Sequence, residues 1–319
     1  MEFPVNQVKK TKILARSPKS LLQGGEKCGK IGEKNDRTEN SVKNPVYLST
    51  GCFTGRPNGR DPHLLSAYHA ALACDGFEWM IYEEFYPRMR EILAEYRALS
   101  LKIPVIHADK RIGDLLGRRG EENRRAALDL FERDLEAAEE LGARTLVFHP
   151  WGIPESDGEA ARNFERIAEA FDRFARRGAV LSPENCICLF SSPCKRLTEL
   201  FALLPESAQI TFDTRAAQFH GETLSSLEAF LPAGRVRHLH MIDHRGAPGD
   251  LEARKNVPQP GEGEVDFPGV FALLRRYGYK GGLTMESPSM RESGVDAAVF
   301  NKSVAYLRRL ARGGSAARK

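Results

Sequence analysis

From about residue 45 to about residue 310, short apolar runs alternate with longer stretches whose apolar residues recur every three or four positions. Short runs of this kind fit strands of a parallel sheet buried on both faces, and the periodic stretches fit amphipathic helices. The strand candidates are Val46–Thr50, Phe77–Tyr82, Ile103–His107, Arg144–His149, Ala179–Ser182, Ala208–Phe212, Arg235–Met241 and Gly281–Met285. Helical stripes follow them, as in Tyr86, Met89, Ile92 and Leu93. Leu128, Phe131, Leu135, Ala138 and Leu141 form another, as do Phe164, Ile167, Phe171 and Phe174, and Phe267, Val270, Phe271 and Leu274. Eight such alternations predict an α/β fold, a closed (β/α)₈ TIM barrel in a single domain. No Gly-x-Gly-x-x-Gly follows the first strand, which argues against an open nucleotide-binding sheet.

The ends have a different composition. Residues 1–44 are rich in Lys, Gly, Ser and Asn without sustained periodicity, and are expected to be a disordered N-terminal extension. Residues 45–310 would form the barrel, and residues 311–319 a disordered basic tail. The formal charge of +4 resides in these ends. Residues 1–44 carry ten Lys/Arg against five Asp/Glu, and residues 308–319 carry five basic groups and no acid, so the body is left at about −6. A nucleic-acid-binding face on the domain is therefore not expected.

Six cysteines at irregular spacing in a 319-residue chain do not resemble a secreted disulfide scaffold, and free thiols are expected, including the Cys186-x-Cys188 pair and Cys194. There is no apolar run of ~18 residues to span a membrane, and the N-terminus lacks the apolar core of a secretory signal. A cytoplasmic protein is expected, with a homo-oligomer left open.

In a parallel barrel the chemistry lies at the C-terminal ends of the strands. Several candidate strands end there on an ionisable group: His107, His149, Glu184, Asp213, His240 and Glu286. One such residue would ordinarily be a helix cap or a satisfied core group, but six on one face suggest a site. Glu184, Asp213, His240 and Glu286 together supply hard oxygen donors and an imidazole, a set suited to one divalent ion such as Mn²⁺, Mg²⁺, Co²⁺ or Zn²⁺. Residues two apart on a strand share a face, so Thr284 and Gly282 would lie below Glu286, Thr211 and Gln209 below Asp213, and His238 and Val236 below His240.

Four motifs accompany these residues: Pro183-Glu-Asn185, Phe212-Asp-Thr214, His240-x-x-Asp243, and the pairing of Gly261-Glu-Gly-Glu-Val-Asp-Phe267 with Gly278 to Glu286. In their order and spacing the chain resembles the sugar phosphate isomerase/epimerase family. These are xylose isomerase-like barrels, related also to the endonuclease IV-type abasic-site nucleases. The likeness spans about Val46 to Leu310. It implies a divalent-metal-dependent isomerase or epimerase acting on a ketose, keto-acid or related sugar-like small molecule by proton transfer through a metal-bound enediolate. The implied metal ligands are Glu184, Asp213, His240 and Glu286, with Glu184 and Glu286 also the acid/base pair. His107, His149 and Asp243 would contact substrate.

Two departures stand out. Many relatives carry Asp-x-x-His where this chain has Asp213-Thr-Arg-Ala216, and the nuclease branch carries an Asp-x-His before the position of Gly261 that is missing here. An endonuclease IV-like nuclease and a non-catalytic ligand-binding barrel are the alternative readings. Residues His244 to Glu264, rich in Gly and Pro, would form a long loop at the barrel mouth. Lys110, Arg111 and Arg215 lie just beyond site positions and could meet an anionic substrate, although no phosphate-cradling motif accompanies them.

Overall fold

The computed structural model describes residues 44–152, 158–188, 192–255, 257–291 and 294–314. Residues 1–43 of the expected extension and 315–319 of the expected tail lie outside them. Eight parallel strands form the sheet: β1 (Val46–Ser49), β2 (Phe77–Met80), β3 (Val105–His107), β4 (Thr145–Phe148), β5 (Val180–Pro183), β6 (Ile210–Asp213), β7 (Val236–Met241) and β8 (Gly282–Met285). Their spatial order is β5-β4-β3-β2-β1-β8-β7-β6, with β1 pairing both β2 and β8. Helices connect them, among them α1 (His63–Tyr68), α2 (Met89–Ala98), α3 (Arg111–Gly117), α4 (Glu121–Leu141) and α5 (Ala160–Phe174). They continue with α6 (Pro193–Phe201), α7 (Thr214–Phe219), α8 (Phe267–Arg276) and α9 (Ala297–Ala311). The fold is the expected (β/α)₈ barrel.

The seam between β5 and β6 closes the ring through a single parallel bridge, Glu184 to Thr211. Side chains complete it. Ser182 Oγ and Thr211 Oγ1 lie 2.8 Å apart, and the Asn185 side chain donates to the Asp213 carbonyl and accepts from the Asp213 amide. The Asn of the Pro-Glu-Asn motif thus fixes the ends of the two strands that carry Glu184 and Asp213.

Strand parity divides the apolar residues. Those pointing outward, such as Leu48, Trp79, Ile106, Leu146, Leu239 and Leu283, are buried under the helices in the main core. Those pointing inward form only a small separate cluster, Tyr47, Val105 and Val147. Apart from Met80, which lines the cavity above, the middle of the interior is largely polar. Glu78, His238, Thr284, Ser182 and Thr211 occupy the middle, with His107, Glu184, Asp213 and His240 above them, all buried. Isolated polar groups in such a place would cost several kcal/mol each unless hydrogen-bonded or paired, so the interior is organised around their mutual contacts.

Candidate functional site

His240 is the hub. Its ring, fully buried at the end of β7, has Nε2 2.9 Å from Glu78 Oε1 and Nδ1 3.1 Å from both Glu184 Oε1 and Glu286 Oε2. Asp213 Oδ2 is 3.9 Å from the same Nδ1. Glu184, Asp213 and His240 offer ligand atoms that all lie within 4.8 Å of one another, and Glu286 joins them through His240. The four groups singled out from the sequence therefore converge, each delivered by a different strand end.

Each carboxylate is held from behind. Asp213 caps α7, with Oδ1 accepting from the Ala216 amide at 2.6 Å, which aims Oδ2 toward His240. Glu286 Oε1 accepts from Ser49 Oγ at 3.1 Å, leaving Oε2 for the cluster. Glu184 Oε2 faces the Nε2 atoms of His149 at 3.2 Å and His107 at 3.4 Å, yet it is buried and has no hydrogen-bond partner of acceptable geometry. His107 Nδ1 lies 3.0 Å from the Ala108 carbonyl, and its Nε2 faces Glu184. His107, His149 and Glu184 form a second group able to hold a cation.

Electrostatics reflect the crowding. Burial opposes charge on His240, but the carboxylates of Glu78, Glu286 and Glu184 raise its pKa well above the usual histidine range. Burial likewise opposes charge on Glu184, and the His240 and His149 rings hold it well below the usual carboxylate range. Asp213 goes the other way: burial, and then the nearby Glu184 charge, push it up to about 8. His149 is pushed down to about 4, chiefly by burial.

Glu78 was not anticipated from the sequence. It is fully buried near the start of β2, with one oxygen on His240 Nε2 and the other 2.8 Å from His238 Nε2. Thr284 Oγ1 is 2.9 Å from the same His238 nitrogen, so the residues two below His240 and Glu286 meet beneath the site. A signal existed in the sequence. A lone acid inside Phe77-Glu-Trp-Met-Ile-Tyr82 interrupts an otherwise apolar strand, where a charge requires a buried partner.

Asp243 was expected to meet substrate, and its surroundings give it a different task. It is fully buried, and its two oxygens accept from the amides of His244, Gly261, Gly263 and Val265 at 2.8 to 3.0 Å. It is not among the residues lining the cavity. The Gly261-Glu-Gly263 motif is the complement of this clamp. A Cβ on Gly263 would come within 2.3 Å of the His244 carbonyl and 2.4 Å of Asp243 Oδ1, and Gly261 has φ +85°.

A cavity of about 300 Å³ opens above the cluster, lined by His107, His149, Glu184, Asp213 and Glu286 together with Gly51, Met80, Tyr82 and Ile242. Ala216 lines it too; the side chain four residues on does not stand in for the missing histidine, since His220 Nε2 accepts from the Cys188 amide outside the cavity. Cys186 borders the cavity and burial pushes its thiol well up, while Cys52, Cys74, Cys186 and Cys194 are free thiols. Arg111 is consumed by Asp109 and Glu83. In the 244–264 connection, Val257 lines the cavity, and Gln259 is anchored to the Ser287 and Pro288 carbonyls and to Ser303.

Residues 67–310 match the family model described as xylose isomerase-like TIM barrel. The chain belongs to that family. Among curated proteins, inosose dehydratase of Yersinia enterocolitica is 26% identical over 143 residues, covering 39% of this chain and 47% of that protein. The chain therefore spans about half the length of the first such relatives. Among solved structures, a D-tagatose 3-epimerase-like protein superposes with TM-score 0.63 at 19% identity, covering 83% of this chain and 96% of that one. The 3-keto-D-glucoside 4-epimerase YcjR from E. coli gives 0.59 at 21% identity, with 83% and 99% covered. At these identities the structural matches speak for the fold. No described helix is long and apolar enough to cross a membrane.

Proposed function

We propose that the protein is a divalent-metal-dependent sugar isomerase or epimerase that moves a proton between carbons next to a carbonyl, or between the two faces of one carbon. The observation that carries this reading is the convergence of Glu184, Glu286 and Asp213 on His240 Nδ1 beneath a single cavity.

The donor set fits a cation. Four carboxylates, Glu78, Glu184, Asp213 and Glu286, surround one imidazole, so even an imidazolium leaves the cluster net negative in a largely buried place. Without a further positive charge, Asp213 is driven toward its protonated form and Glu184 Oε2 is left without a hydrogen bond. Glu184, Asp213, His240 and Glu286 would hold a divalent ion through carboxylate oxygens and Nδ1. Such an ion supplies Lewis acidity, which polarises a substrate carbonyl and acidifies the adjacent C–H.

The chain's own groups do the proton chemistry. One of Glu184 and Glu286 removes the proton and the other returns one, with Ser49 orienting Glu286. His107 and His149, lining the cavity beside Glu184, would position substrate hydroxyls and hold the Glu184 carboxylate in its charged form. Burial under the barrel mouth limits the access of bulk water to the transferred proton.

Dehydration of a keto-polyol is a second reading, favoured by the similarity to inosose dehydratase. It begins with the same proton removal and continues by loss of a neighbouring hydroxyl. Incubation of the Mn²⁺- or Co²⁺-loaded protein with a ketose and inosose panel in D₂O separates the two. Deuterium at a carbon next to the carbonyl, in a product of unchanged composition, is expected; loss of water would favour the dehydratase. No exchange across the panel with metal bound would contradict both.

A further inference from the structure

Arg215 sits two residues after Asp213, at the start of α7, and lines the same cavity as the carboxylate cluster. Its guanidinium is unusually placed. Nη2 donates to the Arg254 carbonyl at 2.5 Å, Nε is buried with no hydrogen-bond partner, and among the described residues the group forms no ion pair. Arg111, the comparable arginine after β3, is instead saturated by two carboxylates, with Nη1 2.5 Å from Glu83 Oε1 and Nη2 2.7 Å from Asp109 Oδ2. A buried N–H on a charged group without an acceptor is costly, and beside a cavity it is a place where a bound acceptor would be favoured. Lys110, at the end of the β3 segment, borders the same cavity, is exposed, and among the described residues also has no ion-pair partner.

We propose that Arg215 binds an oxyanion carried by the substrate, a carboxylate or a phosphate, so that the protein acts on an acidic sugar derivative rather than a neutral ketose. The inference rests on the reading of this cavity as a sugar site, and it names the substrate class. The planar fork of a guanidinium matches two oxygens of a carboxylate or phosphate. Ala216 next to it contributes only a methyl group to the cavity wall. Glu184, Asp213 and Glu286 line the same cavity and repel an anion, whereas Arg215 attracts one, which favours one orientation of a substrate with a single charged end. Its anion lies toward Arg215 and its carbonyl toward Glu184, Asp213, His240 and Glu286. Lys110 adds positive potential at the entrance and favours capture of an anion over a neutral sugar.

The test uses three ketoses that differ at one carbon: D-fructose, D-fructuronate and D-fructose 6-phosphate. Binding to the full-length, Mn²⁺-loaded protein is measured by calorimetry, and proton exchange in D₂O is followed in parallel. At least one of the two anions is expected to bind ten-fold or more tightly than D-fructose, and which of them does so identifies the oxyanion. Arg215→Gln is expected to lower that anion's affinity 10- to 100-fold and to collapse its preference over D-fructose, with Arg215→Lys retaining part of it. Metal content and the thermal midpoint of each variant establish that it is folded. Anions binding no better than D-fructose, or an anion preference that survives in a folded Arg215→Gln protein, would overturn the proposal. Because binding and exchange are read separately, anion binding without exchange would count against the isomerase reading alone. Exchange of D-fructose with no anion preference would count against Arg215 alone.

Discussion

Glu78→Gln tests how the barrel interior prepares His240. The imidazole can present Nδ1 to the carboxylate cluster as a lone-pair donor only if its remaining proton sits on Nε2, and Glu78 Oε1, 2.9 Å away, is the acceptor that keeps it there. Glutamine preserves the shape but has one acceptor to serve two imidazoles, since the other Glu78 oxygen faces His238 at 2.8 Å. Its amide N–H₂ would face one of the rings and oppose an N–H there. A hydrogen bond to a charged partner is worth about 1.5–3 kcal/mol, which corresponds to a loss of roughly ten- to one-hundred-fold in divalent-ion affinity. Titration of the metal-free protein with Co²⁺, followed by visible absorption, measures this without reference to turnover. A folded Glu78→Gln protein that binds Co²⁺ within two-fold of the parent would refute the reasoning.

Two further outcomes concern stability. Asp134 is fully buried, accepting from Tyr86 Oη and the Asp109 amide, and burial raises its pKa to about 7. Its folded-state value lies above the unfolded one, so its contribution is intact below about pH 4 and is lost as pH rises toward 7, a decline on the order of a few kcal/mol. Asp134→Asn can accept from Asp109 and donate to Tyr86, and is expected to raise the denaturation midpoint at pH 8 more than at pH 5; equal effects at both would contradict this. Gly263→Ala would drive a Cβ into the His244 carbonyl and Asp243, costing about 1–3 kcal/mol or more in urea unfolding and loosening the 261–265 segment. A neutral result would mean that the Asp243 clamp is not needed for folding.

Much of this was legible from periodicity. All eight strands lie where apolar runs predict them, with differences at their ends that have local causes. β3 starts at Val105 rather than Ile103 because Pro104 has no N–H for the ladder, and β1 stops at Ser49, whose hydroxyl accepts from the Gly51 amide and turns the chain. The strand-end rule and parity located the Glu184, Asp213, His240 and Glu286 group, because in a barrel every other residue must face one shared interior. Parity also pointed to His238 and Thr284 beneath it. Glu78 escaped because it lies near the start of its strand, where the rule directs no attention, and its significance depends on partners about 160 residues away. Asp243 was conspicuous in its motif, but the motif alone does not distinguish an acid that meets substrate from one that gathers four backbone amides.

The central claim is that Glu184, Asp213, His240 and Glu286 form one divalent-ion site. Metal stoichiometry after exhaustive dialysis, measured by plasma mass spectrometry on protein loaded with Mn²⁺ or Zn²⁺, tests it directly. One ion per chain is predicted for the parent, and essentially none for a folded His240→Ala or Asp213→Ala protein. A parent that retains no divalent ion, or variants that retain it in full, would contradict the account.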